Sequence, residues 1–234
     1  MGSKVILTEY HSHLGGLTTS GLGKSDIENK EAIAGLFKEF TEKVLQYYTD
    51  KYGENSKEVL LSKEGYYYEP SVAELVFNQM IAEEKNIMVL FNYQIEEAEM
   101  ISEKISRLRF KDRSGGDNIF LKAEVFVDAT YEGDVFALAG GAYRLGREGK
   151  EEFDEAHAGQ IFFDFNEKAF LEGGSGEEDS RLPAYTYRLC MTDEPENSYV
   201  LSEPPHGYDR NNYVEYFNDL KDGRLSAPKV FKEG

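Results

Sequence analysis

Cysteine is nearly missing from this chain: Cys190 stands alone among 234 residues. One thiol excludes an intramolecular disulfide and a thiolate metal cluster, and it fits a reducing compartment without requiring one. Cationic side chains are scarce as well, with 26 Lys and Arg against 44 Asp and Glu and a formal charge of −18. Such a surface repels phosphate backbones and anionic lipid headgroups, so neither nucleic acid nor a membrane is expected as a partner. The surplus of carboxylates reads as a solubility feature, with a cationic partner as the alternative. Long apolar runs are absent too. No stretch approaches the roughly 18 to 20 residues that cross a bilayer, and Lys4 leads straight into a strand-like run without a signal-peptide core. The expectation is a soluble chain with no visible address, cytoplasmic as it stands.

What is present suffices for one substantial core, since 40% of the residues are hydrophobic and 30% charged. Val5, Ile6 and Leu7, closed by Thr8 and Glu9, have the profile of a buried parallel strand that ends in a carboxylate. A loop rich in glycine and hydroxyls follows over residues 13–23. Asp26 is the expected cap of a helix over 27–49, in which Ile33, Leu36, Phe37, Phe40, Val44 and Leu45 fall on one face. Residues 66–68 suggest a short strand. Pro70 suits the first turn of a second helix with Val72, Leu75, Val76 and Met80 as its buried stripe, and residues 87–91 read as the next strand. From 95 to 126 the period changes to that of an antiparallel meander. Ser106, Leu108 and Phe110 share one face there, and Ser114-Gly115-Gly116-Asp117 reverses the chain. Residues 125–127 read as a last buried strand. Beyond 145 the signals fade to a glycine-marked loop at 173–176, a strand at 185–191 and a short helix at 213–220.

Three segments have chemical character. Glu9 ends a parallel strand, where dinucleotides bind in open α/β sheets and where a carboxylate accepts the hydroxyl protons of a ribose. An acid at a strand end equally serves solubility. Gly15 and Gly16, with Thr18, Thr19 and Ser20, allow close approach of the backbone to a ligand and offer donors to pyrophosphate oxygens, though ordinary turns use the same residues. The most specific string is Asp128-Ala129-Thr130-Tyr131-Glu132-Gly133-Asp134. Small residues at a strand exit let a cofactor lie on the backbone, and the apolar stretch 135–139 begins a helix pointed at it.

These segments resemble the FAD-dependent oxidoreductases of the glutathione-reductase-like superfamily, in particular a bacterial group sometimes called xanthan lyases. The resemblance rests on EYHSHLGGLTTSGLG at 9–23, EPSVAELVFNQMI at 69–81, FVDATYEGDVFALAGGAYRLGRE at 126–148 and YRLCMT at 187–192. It implies an α/β fold of the FAD/NAD(P)-binding, Rossmann-like kind, three-layered, with a parallel sheet and an antiparallel β-meander. It further implies that Glu9 holds the adenosine ribose and that Gly15, Gly16 and Thr18 line the flavin site. Ile95 then offers its backbone to adenine, and Ala129, Thr130, Gly133 and Asp134 close over the cofactor. Residues 1–148 are then a partial FAD-binding domain and 149–234 the start of a substrate-side region.

One feature of that family is missing from the sequence. Its glycine-rich G-x-G-x-x-G loop, which precedes the strand matching 5–9 and carries the pyrophosphate on a helix N-terminus, occurs nowhere in the chain. The expectation is therefore an incomplete copy, without the first βα unit and cut at both ends. Such a copy has weakened or absent FAD binding, and its exposed sheet edge is open to a partner chain. The alternatives are a non-catalytic remnant that has lost FAD and a subunit completed by a partner. No substrate and no catalytic residue is readable. His11 and His13 form an H-x-H pair with no evident third ligand, so no metal is expected, and His157 and His206 lie outside any motif. Glu151 with Glu152 and Glu177 with Glu178 sit in polar runs unlike a glycosidase dyad.

Overall fold

The structure is a computed structural model that describes residues 2–164, 167–182, 188, 191–192, 194–199 and 201–223. The chain forms two compact units, Met1–Leu189 and Cys190–Gly234.

In the first unit, β1 (Val5–Glu9) pairs in parallel with β2 (Ile87–Phe91), Glu9 standing opposite Phe91. Parallel strands need a long crossover. Here it holds three helices, α1 (Gly35–Tyr52), α2 (Lys57–Leu61) and α3 (Pro70–Glu83). The expected helix over 27–49 starts later than its periodicity suggested. Asn29 caps a separate 3-10 turn, Lys30–Ala32, by accepting the Glu31 N–H; Ile33 is extended and Gly35 has φ 64°. Asp26 pairs with Lys24 at 3.2 Å, and Ala34 is the residue that caps α1. Pro70 opens α3, where its missing N–H costs nothing. At positions 66–68 the expected strand is a single antiparallel bridge, Lys24 with Tyr67.

The core lies between helices. Phe40, Val44 and Tyr48 of α1 meet Val72, Ala73 and Val76 of α3, with Tyr68 at one end. Phe40 stacks on Phe77 at 4.9 Å and meets the edge of Tyr68 at 5.5 Å. Ala73 at the contact lets the helices approach, and the Tyr48 hydroxyl accepts the Glu69 N–H at 3.0 Å, just ahead of α3. β1 and β2 contribute no buried residue: Val5 and Ile6 are 45% and 47% exposed. The burial expected of 5–7 is thus absent, because among the described residues the parallel sheet has two strands and the apolar helix faces are spent on each other.

The meander is present as β3 (Tyr93–Ile101), β4 (Lys104–Asp112) and β5 (Ile119–Leu121), an antiparallel sheet in that order. Leu108 and Phe110 are its buried pair. Asp112 organises the reversal by accepting the Ser114 N–H at 2.7 Å. Residues 125–127 form no strand, and Val125 and Val127 are 76% and 81% exposed. An apolar run becomes a strand only where a neighbour offers a ladder, and β5 ends at Leu121. A one-turn helix, α4 (Asp134–Leu138), then lies against β3.

Further on come α5 (Lys150–Phe153) and the hairpin β6 (Phe162–Asp164) with β7 (Ala169–Leu171). Arg147 and Asp179 clasp this region through paired backbone hydrogen bonds and a bidentate ion pair. The strand expected at 185–191 lies largely outside the described residues. The second unit contains α6 (Val214–Lys221), one residue from the helix expected at 213–220. No helix among the described residues is long and apolar enough to cross a membrane.

Candidate functional site

The C-terminal ends of β1 and β2 open toward the start of β3 and the end of β4. Asn92 joins them: its N–H donates to the His11 carbonyl at 3.1 Å and its carbonyl accepts the Arg113 N–H at 2.8 Å. The Arg113 guanidinium donates to the Tyr10 carbonyl at 2.9 Å and lies over the Tyr10 ring at 5.4 Å. Glu9 accepts the His11 N–H on Oε1 at 2.9 Å. Its other carboxylate oxygen has no hydrogen-bond partner among the described residues.

The loop after β1 tightens into the 3-10 turn Gly16–Thr18, with Gly15 and Gly16 at φ 101° and 53°. Thr19, buried beneath it, donates its hydroxyl to the Leu14 carbonyl at 2.6 Å. The hydroxyl of Tyr131, from the 128–134 turn, accepts the Leu17 N–H at 2.7 Å across 114 residues of sequence. A Cβ at Gly16 would overlap that hydroxyl, so the glycine makes room for a side chain of the same protein.

The 128–134 turn is built around two side chains. Asp128 accepts the N–H and hydroxyl of Thr130 on Oδ1 and the Phe136 N–H on Oδ2, at 2.7 to 3.0 Å. Thr130 accepts the N–H groups of Gly133 and Asp134, each at 2.9 Å. The helix start expected to face a cofactor with free donors therefore has several of them already occupied. Partial burial opposes ionisation of Asp128, and these hydrogen bonds outweigh it, holding the carboxyl below its ordinary range.

The structure thus ties the loop of Gly15, Gly16 and Thr18, which follows Glu9 at the end of β1, to the turn of Ala129, Thr130, Gly133 and Asp134 through the Leu17–Tyr131 hydrogen bond. The Tyr10 hydroxyl, next to Glu9 in the sequence, is held above its ordinary pKa. Partial burial raises its pKa first, then the carboxylates of Glu132 and Glu9, with Arg113 opposing them. Ile95, half-buried on β3 and paired with Phe110, is on the strand that abuts both β1 and α4. Tyr10 and Arg113 escape a reading by residue type, while Asp128 and Tyr131 lie in the 128–134 string without a role of their own assigned there. Asp128 two residues before Thr130 is a turn signature that sequence does carry; the Tyr131 contact leaves no local trace.

These groups fit one part of a flavin dinucleotide better than another. The open oxygen of Glu9 suits a ribose hydroxyl, and Tyr10 and His11, with ring centroids 4.0 Å apart, form an aromatic wall. A pyrophosphate is poorly served. The Leu17, Gly133, Asp134 and Phe136 N–H groups are engaged, and the Arg113 guanidinium is turned to the carbonyl and ring of Tyr10. Among the described residues no group of three His, Cys, Asp or Glu is placed to hold a metal ion.

No curated protein and no solved structure matches the chain. The family profile described as FAD dependent oxidoreductase matches residues 1–229, nearly the full length. The chain therefore belongs to the FAD-dependent oxidoreductases, whose fold is Rossmann-like.

Proposed function

We propose that this chain supplies the adenosine side of an FAD site, and that the donors for the pyrophosphate come from a partner chain on the open edge of the β1–β2 sheet. The observation that supports the reading is the hydrogen bond from the Leu17 N–H to the Tyr131 hydroxyl, which ties the loop that follows Glu9 to the 128–134 turn. Glu9 accepts a ribose hydroxyl through its open carboxylate oxygen. The backbone at Ile95 addresses adenine, while Gly15, Gly16 and Thr18 border the path toward the flavin. Ala129, Thr130, Gly133 and Asp134 wall the opposite side, kept rigid by Asp128. Residues 149–234 begin the substrate side. The flavin, when bound, accepts a hydride or an electron pair from an organic substrate.

The partner is favoured by the two-stranded parallel sheet, whose outer edges are unpaired among the described residues and whose Val5, Ile6 and Met88 are exposed. Each missing charge-assisted hydrogen bond to a phosphate costs about 1.5 to 3 kcal/mol. The chain purified alone should therefore carry less than one FAD per molecule by visible absorbance, yet bind added FAD weakly in equilibrium dialysis, with AMP competing. Glu9→Gln should weaken that binding about tenfold. A protein isolated yellow, with a full complement of tightly held flavin, would refute the division of the site. An unaltered affinity in the Gln variant would refute the role of Glu9.

A further inference from the structure

Two walls of the crevice are each held together by their own bonds. The 15–18 loop is closed by its 3-10 turn and by Thr19, and the 128–134 turn by Asp128 and Thr130. Between them, among the described residues, runs a single hydrogen bond, from the Leu17 N–H to the Tyr131 hydroxyl. Tyr131 is otherwise 68% exposed, so burial does not explain its orientation. Its hydroxyl lies where only a glycine leaves room.

We infer that Tyr131 is a positioning residue: its phenol sets the spacing of the two walls that the cofactor meets, and Gly16 is the glycine that lets it do so. The inference rests on the crevice taking FAD. A phenol suits this task because its rigid ring spans the gap with few rotatable bonds, and its oxygen accepts one backbone N–H without bringing a charge toward the nearby carboxylates.

The test uses the full chain and two readouts. In Tyr131→Phe, hydrogen exchange at the Leu17 amide should quicken about tenfold, while the Phe136 amide, held by Asp128, keeps its rate. In equilibrium dialysis against FAD, Tyr131→Phe and Gly16→Ala should each raise Kd about tenfold, and the double variant should do no worse than the weaker single one, since both changes break the same link. Folding is checked by circular dichroism, and Tyr131→Trp, which keeps an aromatic ring but not the hydroxyl, should behave as Phe does. Faster Leu17 exchange with FAD affinity unchanged would reduce the bond to a structural tie and overturn the inference. Unchanged Leu17 exchange would overturn it as well. If the unaltered protein takes up no FAD at any concentration, the cofactor reading itself fails and the positioning role falls with it.

Discussion

A single carboxylate organises the turn on which the proposed site depends. Asp128 satisfies three donors and is held below its ordinary pKa of 3.8 by them, so its stabilising effect is fully present above that value and is lost as pH falls through the depressed folded-state pKa. In an acid titration followed by NMR, the Phe136 amide should lose protection only below the range in which exposed aspartates titrate. Asp128→Asn, which keeps an acceptor but not the charge, should lose that acid step. Asp179 behaves likewise in the clasp with Arg147, whose guanidinium lowers its pKa to about 2, so the clasp holds above pH 3.8 and opens as pH falls toward 2. At this scale the sequence is half legible. Asp128 and Thr130 meet through neighbouring backbone, and their spacing advertises it. Leu17 and Tyr131 meet through the fold, and nothing in either neighbourhood announces the other.

Among the elements, α1 and α3 show best what periodicity can tell. Spacing places Phe40, Val44, Val72 and Val76 on buried faces and they form the core, whereas Leu36 and Leu75 of the same stripes are exposed. Phe40 is almost fully enclosed between Phe77 and Tyr68, so Phe40→Ala should cost about 3 to 5 kcal/mol, read as a lower midpoint in urea. A loss below about 1 kcal/mol would mean that the helix pair collapses to fill the space. α1 starts later than its apolar period predicts because Gly35 and the turn capped by Asn29 override that period upstream. Residues 125–127 depart from expectation for a different reason. A strand is a pairing, and the hydrophobicity of one partner does not create the other.

For the whole molecule the telling feature is how much apolar surface stays outside. Among the described residues eleven hydrophobic side chains are buried, while many large ones, including Ile6, Leu36, Met88, Val125 and Val127, are exposed. Patches of this kind drive association, and the formal charge of −18 opposes it by repulsion. Salt screens the repulsion and leaves the apolar contact intact. Sedimentation should therefore show the isolated chain associating as ionic strength rises, and a partner that covers the β1–β2 edge should suppress this. A monomer at every salt concentration would show that the exposed surface is not adhesive. By itself the sequence determined the family, the α/β class, the helix pair and the meander, because each depends on local periodicity or on a string of adjacent residues. Only the tertiary structure decided that the core lies between helices, that several donors of the turn are already engaged, and that Tyr131 bridges to Leu17. Those facts depend on which distant groups compete for the same face or the same N–H, and that competition is settled only when the chain has folded.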